Sequence, residues 1–123
     1  QENLSDEEAD QYARATCGSN AVYEPFLGEA VRRTDGRARK IMMESAIKGD
    51  GVDQKHLVET SLTPLAIING ADESMINNQY VESIQYKNLW QEKVHLVPNV
   101  GHAPFWEAPD AFDRILADFL YSI

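Results

Sequence analysis

Two short stretches of this chain end in residues able to move a proton. Leu65-Ala66-Ile67-Ile68-Asn69-Gly70 runs into Asp72-Glu73, and Val94-His95-Leu96-Val97 leads through Pro98-Asn99-Val100-Gly101 to His102. An imidazole titrates near neutral pH, and a carboxylate beside it holds its tautomer and steadies its charged form. An acid and a base on separate turns point to acid–base or nucleophilic hydrolysis, given a nucleophile. Asp72 and Glu73 are adjacent, so the residue types alone leave both open as the acid.

The elements that must position these residues are legible in outline. Short apolar runs rich in Ile, Val and Leu, without polar alternation, fit strands buried on both faces of a parallel sheet. Acid and base then fall just past the strand ends, where open α/β sheets place their chemistry. Between the runs, Asn77-Asn78 opens a predicted helix through Tyr80, Val81 and Ile84, a crossover that returns the chain parallel to the first strand, and residues 87–93 form the turn back. Pro109 and Asp110 start a terminal helix with Phe112, Ile115, Leu116, Phe119 and Leu120 on one face, suited to covering a sheet.

The first sixty residues read as helices. Ser5-Asp6-Glu7-Glu8 is a capping box opening a helix from about Asp6 to Thr16 that closes at Gly18. Pro25 suits the first turn of a second helix, and Asp35 caps a third that ends at Gly49-Asp50-Gly51. A short helix covers about Gln54 to Thr60. The basic run Arg32, Arg33, Arg37, Arg39 and Lys40, interleaved with Asp35, reads as a solvated helix face. Met42, Met43 and Phe26 suit either a helical core or the wall of an apolar pocket.

Composition narrows the function classes. The 123 residues make one domain, and 20 acidic against 11 basic residues, a formal charge of -9, argue against a nucleic-acid or anionic-membrane partner. One cysteine, Cys17, builds no internal disulfide and reads as buried and inert. No apolar run reaches the roughly 18 residues of a membrane span, and the opening Gln1-Glu2-Asn3-Leu4 lacks the marks of a signal peptide. These features suggest a cytoplasmic protein. A metal centre drawn from Asp72, Glu73, His95 and His102 is disfavoured, because no His-x-His or His-Glu-x-x-His spacing occurs. No cofactor is expected.

Two strands alone leave a parallel sheet with open faces and edges. The chemistry has a matching gap, since no Gly-x-Ser-x-Gly occurs among Ser5, Ser19, Ser45, Ser61, Ser74, Ser83 and Ser122. The expectation is an upstream segment that carries the nucleophile and the remaining strands. A non-catalytic fragment acting as a binding module is the alternative.

The pattern Pro64-Leu65-Ala66-Ile67-Ile68-Asn69-Gly70-Ala71-Asp72-Glu73, followed by Gly101-His102-Ala103-Pro104-Phe105-Trp106-Glu107-Ala108-Pro109, resembles the end of an α/β-hydrolase, whose triad runs Ser, acid, His along the chain. Within that fold the chain resembles the bacterial N-acyl-homoserine lactone hydrolases, through Tyr12-Ala13-Arg14-Ala15-Thr16-Cys17-Gly18, residues 33–39 and Asn88-Leu89-Trp90. The resemblance implies a helical lid over residues 1–61, then the C-terminal part of the hydrolase core over residues 62–123, a parallel sheet flanked by helices. It implies His102 as general base, Glu73 as the acid with Asp72 capping the following turn, and Tyr12, Phe105 and Trp106 as substrate contacts. Trp90 would anchor the crossover. The implied substrate is a small ester or lactone, above all an N-acyl-homoserine lactone; general carboxylester hydrolysis is the neighbouring possibility.

Overall fold

The computed structural model describes residues 2–123. Its contacts divide the chain into two compact units, Gln1–Ala15 with Val22–Asp53, and Thr16–Ala21 with Gln54–Ile123.

The first unit is helical. Helix α1 spans Asp6–Ala15, α2 spans Pro25–Arg33 and α3 spans Gly36–Lys48. The Ser5 hydroxyl accepts from the Glu8 amide at 3.2 Å while the Glu8 carboxylate accepts from the Ser5 amide at 2.8 Å, the reciprocal capping box. Asp35 caps α3 through the Arg37 amide at 3.0 Å, and Gly49 ends it in the left-handed conformation. Helices α1 and α2 meet through small residues: Ala9 and Ala13 are buried, and Gly28 leaves no room for a side chain beside Asp10 and Tyr23. Asp10 accepts from the Tyr23 hydroxyl at 2.7 Å and from Arg32 at 3.1 Å, and Arg14 lies 3.8 Å over the Tyr23 ring. The Tyr23 hydrogen bond, aided by Arg32 and Arg14, holds the Asp10 carboxyl below its ordinary value. The basic run lies on a solvated face, with Arg32, Arg33, Arg37 and Lys40 exposed; on it Arg32 is tied to Asp10 and Glu29, and Lys40 to Glu2. Gly18 does not close α1, which ends at Ala15.

The second unit holds the sheet. After α4 (Gln54–Thr60) come β1 (Ile68–Gly70), α5 (Asn78–Ser83), a short turn at Trp90–Glu92, β2 (His95–Val97), α6 (Pro104–Glu107) and α7 (Pro109–Ser122). Strands β1 and β2 run parallel with Ile68, Asn69 and Gly70 opposite His95, Leu96 and Val97. They are shorter than the apolar runs suggest. Leu65 reaches Leu89 only through an isolated bridge, because Gln91 and Glu92, both at φ 54°, carry the chain away before it returns at His95. Helix α5 also stops one residue early, with Ile84 extended at ψ 137° as its C-cap, and the four-residue α6 follows Pro104 without any sequence expectation of a helix.

Helix α7 packs on β2, and Trp90 lies 5.7 Å from Phe119 and stacks at 4.7 Å on His95. Trp90 thus anchors the crossover. The alternate residues Leu65, Ile67 and Asn69 line an open groove of about 580 Å³ with Val58 of α4 and Tyr80 and Val81 of α5. Few apolar residues are buried; in this unit they include Val97, Val100 and Pro104. Among the described residues no helix is long and apolar enough to cross a membrane.

Gly70, at the end of β1, is pressed against the loop after β2: a Cβ there would lie 2.1 Å from the carbonyl oxygens of both Val100 and Gly101. Backbone cannot swing aside as a long side chain can. Gly70→Ala is expected to lower stability by about 2–3 kcal/mol in urea unfolding, and a melt unchanged from the parent would show that the two loops separate freely.

Candidate active site

Each chemical residue sits on a turn that immediately follows a strand. Beyond β1 the chain turns at Ala71, whose amide donates to the Val97 carbonyl at 2.8 Å, and at Asp72, whose amide donates to Val100 at 2.9 Å. These bonds bring the two strand-end loops side by side. Beyond β2, Asn99 takes the left-handed conformation with φ 61°, and Val100-Gly101 lead into His102.

Glu73 and His102 meet there, 29 residues apart in sequence, with Glu73 Oε2 2.7 Å from His102 Nδ1. The carboxylate is nearly enclosed, its side chain 4% exposed, whereas the imidazole is 43% exposed. Glu73 Oε1 accepts from the Met75 amide at 2.6 Å, so both carboxylate oxygens are engaged. Burial by itself raises the Glu73 carboxyl, but the Met75 amide, the His102 ring and the Ile76 amide together outweigh it and hold the group below its ordinary value. With Nδ1 bound to the carboxylate, Nε2 is the ring nitrogen left for proton transfer.

Asp72 reaches a segment far from it in sequence. Its Oδ2 accepts from the Ser19 amide at 2.9 Å, joining the β1 loop to the Thr16–Ala21 segment, and the Ser19 hydroxyl first and then its amide hold the carboxyl below its ordinary value. Glu73 caps the turn through its first oxygen, which accepts from the Met75 amide. Phe105 and Trp106 follow on α6; Phe105 is 62% exposed and packs edge-on to Phe112 at 6.1 Å, and Trp106 is 55% exposed. Tyr12 stands on α1 in the first unit, lining a groove of about 470 Å³ with Leu4, Met42, Met43 and Ile47. His95 lies on β2 under Trp90, away from the pair; burial first, then Lys93, lowers its imidazole, and its Nε2 has no hydrogen-bond partner.

Sequence reasoning missed Glu107. Its carboxylate accepts from the Gly18 amide at 2.8 Å and from the Gly101 amide at 3.1 and 3.2 Å. The available signal was an acid placed between two prolines shortly after the histidine turn, Pro104-Phe105-Trp106-Glu107-Ala108-Pro109. Gly18 itself packs main chain to main chain, since a Cβ there would lie 2.4 Å from Asn99 O and 2.6 Å from Gly101 N.

A parallel sheet with an acid on one strand-end loop and a histidine on the next is the arrangement found in α/β-hydrolases, and the chain belongs by its fold to that superfamily, matching its C-terminal part. More narrowly, it is similar to the N-acyl homoserine lactonase AidH. Crystal structures of AidH complexed with N-butanoyl homoserine and of a serine-to-glycine mutant complexed with N-hexanoyl homoserine lactone each superpose with a TM-score of 0.89 at 43% identity over 98% of this chain. A serine hydrolase involved in carbazole degradation shares the fold at 13% identity and a TM-score of 0.77, covering 98% of this chain and 49% of its own. The chain spans 43–44% of the length of the AidH chains. No protein-family model and no curated protein matches it.

The lowered Glu73 carboxyl has a definite sign. A carboxyl depressed on folding contributes stability that is fully present above its ordinary value of 4.5 and is lost as pH falls through the folded value. Denaturant unfolding followed from neutral pH to below that range is expected to show a smaller acid loss in Glu73→Gln than in the parent; parallel curves would mean that the pair does not stabilise the fold.

Proposed function

We propose that this chain supplies the acid and the base of a serine hydrolase that opens the lactone ring of N-acyl-homoserine lactones. The observation that carries this reading is the 2.7 Å contact of Glu73 with His102 on adjoining strand-end loops. The AidH structures, bound to an acyl-homoserine lactone and to an acyl-homoserine, support the substrate class.

The nucleophile in this proposal is a serine on an upstream segment, on the strained turn typical of the fold. His102 Nε2 takes the serine proton as the hydroxyl oxygen attacks the ring carbonyl. The tetrahedral intermediate collapses with cleavage of the ring C–O bond, and the imidazolium returns the proton to the departing alkoxide. The product stays attached as an acyl-enzyme with a free homoserine hydroxyl. Water, deprotonated by His102, then attacks the ester, and the serine leaves with that proton. Glu73 remains ionised throughout, holding the Nδ1–H tautomer and offsetting the charge of the imidazolium. No cofactor enters this sequence.

In this reading residues 1–61 are the lid region, Tyr12 offers its hydroxyl to the substrate carbonyl, and the exposed rings of Phe105 and Trp106 are further candidate substrate contacts. The lone Cys17, without a disulfide framework, suits a reducing cytoplasmic setting.

The test is made on the polypeptide that joins this chain to a segment with a nucleophile elbow. His102→Ala is expected to lower kcat on a short-chain acyl-homoserine lactone by about 10³-fold or more, and Glu73→Gln by about 10²- to 10⁴-fold. Undiminished turnover by His102→Ala would overturn the mechanism. Hydrolysis of simple esters with no lactone opening would move the substrate assignment to general carboxylesters.

A further inference from the structure

We propose that Glu107 is a positioning residue for His102, its carboxylate clamping the histidine turn to the Thr16–Ala21 loop. The proposal deepens the hydrolase reading and rests on it.

The His102 side chain is 43% exposed, so side-chain packing alone does not hold the ring. Its position depends on where the main chain places Cα and on what grips the ring. Glu73 grips the ring at Nδ1. The main chain is held at two successive amides: the His102 amide donates to the Thr16 carbonyl at 2.8 Å, and the preceding Gly101 amide donates to Glu107. Thr16 is itself placed by the same carboxylate, because Glu107 Oε2 also accepts from the Gly18 amide two residues on. One carboxylate therefore fixes both sides of the seam that carries the base.

The seam cannot be anchored by side chains of its own. Gly18 and Gly101 face each other with no space for a Cβ; one at Gly101 would lie 2.4 Å from Thr16 O and 2.6 Å from Gly18 N. Two amides pointing into so close a contact need an acceptor from elsewhere. Glu107 provides it from the last residue of α6, a helix short enough to end directly beneath the turn it serves. A carboxylate suits two amides better than an amide side chain, since both its oxygens accept and neither donates. A base displaced by about 1 Å loses on the order of 10²-fold in rate, so the clamp bears on turnover more than on substrate binding.

The experiment compares Glu107→Ala and Glu107→Gln in the complete hydrolase, with His102→Ala as reference. Glu107→Ala is expected to lower kcat about 10- to 100-fold, with KM changed less than about threefold and Glu107→Gln falling in between. NMR gives a readout independent of turnover: the low-field Nδ1–H proton of His102 should broaden or vanish in Glu107→Ala and persist, weakened, in Glu107→Gln, while amide exchange at Gly18 and Gly101 quickens. A folded Glu107→Ala protein with the parent's kcat and the parent's Nδ1–H signal overturns the proposal, even if its melting temperature has dropped, since that is mere scaffolding. Should Glu107→Ala not fold, Glu107→Gln decides, and parental kcat and signal in it overturn the clamp. If His102→Ala keeps full turnover, the hydrolase reading fails instead, and the NMR comparison still judges whether Glu107 positions the ring.

Discussion

The structure of the second unit depends on one constraint, the contact of bare backbone with bare backbone where β1 and β2 end. Gly18, Gly70 and Gly101 each occupy a place in which a single added carbon would meet main-chain atoms at 2.1 to 2.6 Å. Because the three loops can approach so closely, their amides and carbonyls bond directly across the seam, and the acid and base loops are brought into register. The 2.7 Å Glu73–His102 contact is a consequence of that approach. Hydrogen bonds between main-chain groups are directional, and several meeting in one place define a geometry that loose apolar packing would leave open.

Three carboxylates divide the work around this seam. Glu73 faces the imidazole and the Met75 amide, Asp72 turns outward to the Ser19 amide, and Glu107 spans Gly18 and Gly101. Neighbouring acids with the same chemistry thus differ by what their oxygens face. The first unit repeats the lesson with Asp10, which gathers Tyr23 and Arg32 where α1 and α2 cross at small residues.

What could be read from the sequence was local. The capping box at Ser5, the Asp35 and Asn77 caps, Gly49 at a helix end, and proline at the start of α2 and α7 all depend on residues within a turn of one another, and the helices begin or stop there. The order of acid and base, each after an apolar run, was legible for the same reason. Strand length was not, because pairing is decided by the partner: the left-handed pair at Gln91 and Glu92 removes the residues before His95 from the ladder. Nor was the work of Gly18, Asp72 and Glu107. Gly18 follows a helix and so reads as a cap, Asp72 precedes a turn and so reads as its first acceptor, yet their partners lie 89 and 53 positions away. A pattern confined to a short window carries no record of such distances.

The docking of residues 16–21 against the two strand-end loops also sets an order of assembly. Local helices can form as soon as their residues exist, but Gly18 has no acceptor until Glu107 is made, and Glu73 has no imidazole until His102 follows it. Contacts between residues far apart in sequence close large loops and form late. During synthesis the acid therefore waits, with its turn, for the C-terminal part of the chain to leave the ribosome. The acid–base pair is among the last features of this unit to come into being, and a chain halted before residue 107 would carry α1 to α5 without it.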